Sequence, residues 1–203
     1  MTNYARIYRL RLTPWERYGK AAAASIALLL DREDAERSHR LGRALDLGCG
    51  RGQFTPDLAR RGWEAVGIDY VPAAIEGAKS RDVAGATYLV GDVTDLRPAE
   101  LGAFDFFLDI GCFQGLDADQ RGAEGRGVSA LAKPGATLLM LAFGPSRMRS
   151  LVGGVSQAEV EEAFPQWEML TVEPAETAGL GWPMNRTKPQ WYRLRRRPGE
   201  HPS

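Results

Sequence analysis

The segment Leu45-Asp46-Leu47-Gly48-Cys49-Gly50-Arg51-Gly52, followed by Val66-Gly67-Ile68-Asp69, constrains the fold of this chain more than any other stretch. The first run reads as a short apolar strand that ends in a glycine turn and opens onto a helix near Gln53. The second reads as another strand, ending in a carboxylate 23 positions after Asp46. Glycine reaches dihedrals closed to other residues and lets a ligand come close to the main chain. The helix start beside it offers N–H groups without intrahelical partners. In doubly wound folds, an acid at the tip of the next strand accepts hydrogen bonds from ribose hydroxyls. The pattern predicts an adenosine-containing cofactor, with Asp69 at an exposed strand end.

Glycine spacing separates the candidate cofactors. A dinucleotide fingerprint reads G-x-G-x-x-G, its third glycine permitting close helix–strand packing. Here the glycines stand at 48, 50 and 52, with Phe54 and Thr55 where small residues would be wanted. This spacing disfavours an NAD(P) oxidoreductase. The run D-L-G-C-G-R-G resembles motif I of the class I S-adenosylmethionine-dependent methyltransferases, and the resemblance extends from about Gly42 to Leu141.

Composition adds exclusions. The chain has 203 residues, 44% of them apolar, and 26 basic against 26 acidic residues. One domain over 1–203 is expected, and no global charge favours nucleic acid or an anionic membrane. Basic residues gather at the two ends, among them Arg6, Arg9, Arg11 and Arg193 to Arg197, and basic clusters can contact phosphate. Two cysteines, Cys49 and Cys112, make no disulfide framework. With only His39 and His201 besides, no metal site is expected. The apolar run from Ala21 to Leu30 is too short to span a bilayer. A reduced, cytoplasmic protein, monomer or homodimer, is the expectation.

Along the chain, residues 14–30 read as a helix with Pro14 at its first position, and 31–40 as a charged loop or helix end. Strands are expected at 44–47, 63–69, 87–90, 104–110 and 136–142. Helices are expected at 53–60, 72–80 and 122–132. Ser156 and Glu159 form a capping box that opens a further helix ending near Phe164. Trp167–Val172 and Gln190–Arg195 read as a closing antiparallel hairpin. The βα alternation implies a parallel sheet covered by helices on both faces. The family resemblance supplies the reversed last strand of a Rossmann-like, doubly wound, mostly parallel seven-stranded sheet. Residues 1–40 would be a helical lid and 41–203 the core.

The resemblance also implies site roles. Gly48, Cys49, Gly50 and Gly52 would pack against the methionine part and ribose, and Asp46 would hold the ammonium. Asp69 would hold the ribose hydroxyls, and Tyr70 would lie on the adenine face. Asp92 and the Val93 N–H would read the adenine edge, and Asp109 and Ile110 would close the site after the fourth strand. The run Leu12-Thr13-Pro14-Trp15-Glu16 resembles the T-P-W-[DE] segment of thiopurine, thiol and tellurite-resistance methyltransferases, which would place Trp15 over the cofactor. Asp109-Ile110-Gly111-Cys112 lacks the Asn/Asp-Pro-Pro-Tyr/Phe run of exocyclic-amine methyltransferases, which disfavours adenine or glutamine as acceptor.

The acceptor pocket is expected from Tyr18, from Cys112, Phe113 and Gln114 after the fourth strand, and from Phe143, Arg147, Arg149, Trp182 and Met184. Aromatic linings with a few polar groups suit organic ligands. Methyl transfer from a sulfonium is an in-line displacement that requires mainly alignment. A base is needed only for an acceptor that keeps its proton, and no histidine stands in the pocket region. The expected acceptor is a small thiol, phenol or amine. RNA or protein substrates docking on the basic ends, or a non-catalytic cofactor-binding module, stand as alternatives.

Overall fold

The computed structural model describes residues 21–37, 41–81, 83–144, 154–177 and 188–198. The elements run α1 Ala23–Ala35, β1 Arg43–Leu47, α2 Thr55–Arg61, β2 Glu64–Asp69, α3 Pro72–Lys79, β3 Ala86–Val90, α4 Pro98–Leu101 and β4 Phe104–Ile110. A 3₁₀ turn at Phe113–Gly115 follows, then α5 Ala118–Leu131, β5 Ala132–Phe143, α6 Gln157–Ala163, β6 Trp167–Pro174 and β7 Pro189–Arg196.

One seven-stranded sheet has the order β3-β2-β1-β4-β5-β7-β6. The first five strands pair in parallel, and β7 inserts antiparallel between β5 and β6. Strand order reverses between β1 and β4, so their carboxyl ends flank the place where ligands bind in open sheets of this kind.

Strand periodicity sorts the core into two layers. On one face Ala44, Phe106, Leu108 and Leu139 pack with Ile26 and Leu30 of α1 and Leu58 of α2. On the other, Leu45, Leu47, Phe107 and Met140 pack with Val128 of α5 and Phe164 after α6. Asp46 and Asp109 are near neighbours in register, Asp46 facing Leu108 and Asp109 facing Leu47. Their alternation along the strands sends one carboxylate to each layer.

Several boundaries differ from the sequence expectation. The first described helix runs on through Ala35 into the charged segment, because Glu33 is not a solvated end: it is 1% exposed and bound to Arg193. The glycine-bearing helix begins at Ala118, since Asp117 and Gln120 form a capping box, about one turn earlier than the expected start at 122. The second helix starts at Thr55, with Pro56 in its first turn and left-handed Gly62 as its C-cap, as Pro and Gly usage predicts.

Candidate functional site

The glycine turn is shaped by its neighbours as well as by its backbone. Gly48, Gly50 and Gly52 all have positive φ. A Cβ on Gly48 would lie 2.7 Å from the Cys112 sulfur, and one on Gly52 2.8 Å from the Tyr88 hydroxyl. Only a bare α-carbon lets the loop after β1 press against the loop after β4 and against β3. Gly67 in β2 performs the same service beneath it, since a Cβ there would meet Cys49 Sγ and Thr55 Oγ1, both at 2.8 Å.

Asp69 ties this turn to β2. Its Oδ2 accepts from the Gly50 N–H and its Oδ1 from the Val71 N–H, each at 2.9 Å. The expected exposed strand end is therefore corrected: Asp69 is 6% exposed, covered by the loop it holds. Burial raises its pKa, opposed by the Val71 and Gly50 N–H groups. Asp46, 2% exposed, accepts from the Thr55 hydroxyl at 2.6 Å. Burial pushes its carboxyl up to about 7; the Thr55 bond opposes that shift, while the charges of Asp109 and Asp69 add to it.

A cleft of about 630 Å³ opens on the α1 and α2 side of the sheet. Its floor is Asp46, Leu47, Gly48, Cys49, Gly50 and Ile110, and its walls are the apolar Ala23, Ile26, Ala27 and Leu30 of α1 with Phe54, rimmed by the charged Asp31, Arg51, Asp57, Arg60, Arg61 and Arg81. Of the residues expected at the cofactor, Asp46, Gly48, Cys49, Gly50 and Ile110 meet here. Tyr70 and Asp92 are exposed at the tips of β2 and β3, outside the cleft walls. Asp92 Oδ1 closes a local turn by accepting from the Thr94 N–H and hydroxyl at 2.8 and 2.7 Å. The Val93 side chain is in the core.

Asp109 lies on the opposite layer, wholly buried. Its oxygens accept from the N–H groups of Cys112 at 2.8 Å and Phe113 at 3.0 Å, so it holds the loop after β4. Burial pushes it up to about 7, against those N–H donors. Phe113 does not face the cleft: it is buried against Phe164, with ring centroids 5.8 Å apart, and supports the loop from beneath. Gln114 Oε1 accepts from the Phe143 N–H at 2.8 Å, joining the expected pocket segments after β4 and β5. Burial raises the thiol pKa of both Cys49 and Cys112, which leaves neither as a thiolate nucleophile. Trp15, Tyr18, Arg147, Arg149, Trp182 and Met184, and residues 1–20 and 38–40 of the expected lid, lie outside the described residues.

Sequence reasoning expected a helical cover from residues 1–40 but did not name the α1 residues that wall the cleft, and it missed Thr55 and Glu124. The wall had a signal in the apolar spacing of Ile26 and Leu30. Glu124 had none: it is a glutamate inside a helix, 0% exposed, whose carboxyl sits with Asp109 and Cys112. Asp109, Cys112 and Glu124 are a grouping that no spacing in the sequence suggests.

Residues 44–135 match the family described as a methyltransferase domain. The chain is 30% identical over 148 residues to 2-heptyl-1-hydroxyquinolin-4(1H)-one methyltransferase of Mycobacteroides abscessus, covering 69% of this chain and 65% of that protein. It is 29% identical over 147 residues to thiocyanate methyltransferase 1 of Arabidopsis thaliana, covering 69% of this chain and 60% of the relative. The chain thus spans less than two thirds of the length of either. Among solved structures, an S-adenosylmethionine-dependent methyltransferase from Anabaena variabilis superimposes with a TM-score of 0.73 at 17% identity, covering 97% of this chain and 96% of that one. Residues 44–135 thus carry a methyltransferase domain, and the sheet order, with the glycine turn closed onto Asp69, is the fold of the class I S-adenosylmethionine-dependent methyltransferases.

Proposed function

We propose that this protein transfers the methyl group of S-adenosylmethionine to a small, soft or aromatic nucleophile such as a thiol, a phenol or an amine. The observation that carries the reading is the cleft: it joins the glycine turn and Asp46 to an apolar wall from α1. Such a wall suits a small organic acceptor. The two relatives named above act, by their names, on a hydroxyquinolone and on thiocyanate, both small and nucleophilic. The cofactor, when bound, supplies an electrophilic methyl carbon on a sulfonium.

The residues present fit that cofactor. Asp69 has each oxygen fixed by one backbone N–H and keeps further lone pairs that ribose hydroxyls would use. Asp46 offers a buried carboxylate to the ammonium, oriented by Thr55. Tyr70 offers an aromatic surface to the adenine, with Asp92 and the Val93 N–H at its edge. The remaining task of the chain is to align the acceptor and exclude water. Gln114, Cys112 and Phe143 stand at the β4 and β5 ends for the acceptor, with Trp15 and residues 1–40 as the cover. Two free cysteines suit a reducing cytoplasmic setting.

The test is methyl transfer to a panel of small thiols, phenols, amines and N-hydroxyquinolones, read as S-adenosylhomocysteine formed. Turnover with one of these classes supports the proposal. Turnover with RNA or protein alone would move the acceptor to a macromolecule, and cofactor binding with no turnover on any acceptor would leave a binding module.

A further inference from the structure

We propose that Asp109, Cys112 and Glu124 form a binding site for a thiophilic divalent cation of the zinc type, set between β4 and α5 beneath the loop that follows β4. One ligand atom from each residue, two carboxylate oxygens and a thiol sulfur, lies within 4.8 Å of the others. Small inward movements bring such a set to the distances zinc requires, about 2.0–2.3 Å.

A second observation points to a ligand. Glu124 is 0% exposed, and neither of its oxygens meets an N–H or hydroxyl donor among the described residues; what it faces is the Asp109 carboxyl, which can bond it only by sharing a proton. A buried carboxyl with no donor is strongly unfavourable as an anion, and a cation relieves it. Arg121, one turn earlier on α5, is turned elsewhere: it donates to the carbonyls of Phe113 and Gln114 and pairs with Glu159 at 2.9 Å. The α5 backbone that carries Glu124 is pinned at the next residue. A Cβ on Gly125 would come within 2.0 Å of the Ala163 carbonyl oxygen.

The other two ligands are equally fixed. Asp109 is oriented by the Cys112 and Phe113 N–H groups, the outer-shell support that metal-bound carboxylates commonly have. Cys112 is half-buried and gives the ion its way in. The sulfur favours zinc, cobalt or cadmium over magnesium and calcium, which take oxygen ligands. Three protein ligands leave a fourth position open. As the cation enters, the thiol proton leaves to solvent. The occupied site would clamp residues 109–114, the loop whose Gln114 accepts from the Phe143 N–H. The inference stands independently of the acceptor proposed above.

The test uses the full chain, dialysed against Zn²⁺ and then against metal-free buffer. Zinc should remain in a one-to-one ratio, and Co²⁺ in its place should give a near-ultraviolet thiolate-to-cobalt charge-transfer band. Cys112→Ser should abolish the band, and Glu124→Gln, which keeps the shape of the side chain, should weaken zinc binding at least about tenfold. Melting curves of both variants establish that they fold. Retention of no zinc would overturn the proposal, and so would equal retention by the parent and both variants, which would place the ion elsewhere. A Glu124→Gln variant that melts higher than a parent indifferent to zinc would also overturn it, leaving a carboxyl pair held by a shared proton.

Discussion

The Gly50 N–H donates to the Asp69 carboxylate at 2.9 Å, so the glycine turn and the acid at the tip of β2 are one unit. Asp69→Ala should therefore weaken S-adenosylhomocysteine binding by about 1.5–3 kcal/mol, the scale of hydrogen bonds to a charged group. It should also lower the melting temperature, because Gly50 and Val71 lose their acceptor. Calorimetry and a thermal melt read the two effects separately. Undiminished binding would remove Asp69 from the site.

Asp46 makes stability fall with pH. Its folded pKa, raised to about 7, lies above the ordinary carboxylate value near 4. The neutral form is favoured by folding, so this contribution is fully present below about pH 4 and is lost as pH rises through about 7. Asp46→Asn should flatten the decline between those limits and raise the apo melting temperature at pH 8. Cofactor binding should weaken in the same variant, because the ammonium loses its carboxylate. Identical melting-versus-pH curves for parent and variant would refute the assignment. Some slope should survive from Asp109, which shifts in the same direction.

Gly67→Ala puts a methyl group 2.8 Å from both Cys49 Sγ and Thr55 Oγ1. Overpacking of this kind costs about 1–3 kcal/mol. The strain falls under the glycine turn, so cofactor affinity should drop along with stability. A denaturant titration showing no change would mean that the turn yields freely.

Gln114→Ala takes the acceptor from the Phe143 N–H and unfastens the loop after β4 from the end of β5. The acceptor KM should rise severalfold while the dissociation constant of S-adenosylhomocysteine stays as it was. Equal losses in both would assign Gln114 to the cofactor side.

Much of this architecture was legible because local and global signals agree. Phe104–Ile110 reads as a strand and is one, since a run of β-favouring apolar residues fits a strand buried on both faces. The Ser156–Glu159 box marks its helix for a similarly local reason. In the site, Asp46, Asp69 and the glycines follow from a contiguous motif. Glu124 could not be foreseen, because its meaning depends on a carboxylate 15 positions earlier on another element. Glu33 looked solvated for the same reason: its partner Arg193 is 160 positions away.

Glu33→Ala should cost about 1.5–3 kcal/mol, the scale of hydrogen bonds to a charged group, because Arg193 keeps Glu36 as its partner. Arg193 is 4% exposed and bonds both Glu33 and Glu36, while Glu33 also accepts from Thr137 of β5. Urea unfolding measures the loss, and activity should fall with it because α1 walls the cleft. A loss below 1 kcal/mol would show that α1 docks by apolar contact alone.

That attachment has a consequence for how the protein is made. Synthesis delivers α1 ahead of the sheet, yet the guanidinium that fastens it belongs to β7, the last of the described strands. While Arg193 is still in the ribosome, Glu33 lacks its nearest cationic partner, and β5 lacks the neighbour that completes its edge. A growing chain can form the glycine turn, β1 and β2, but the α1 side of the cleft is fully fastened only once β7 has emerged. The two sides of the cleft are in this way completed at different times.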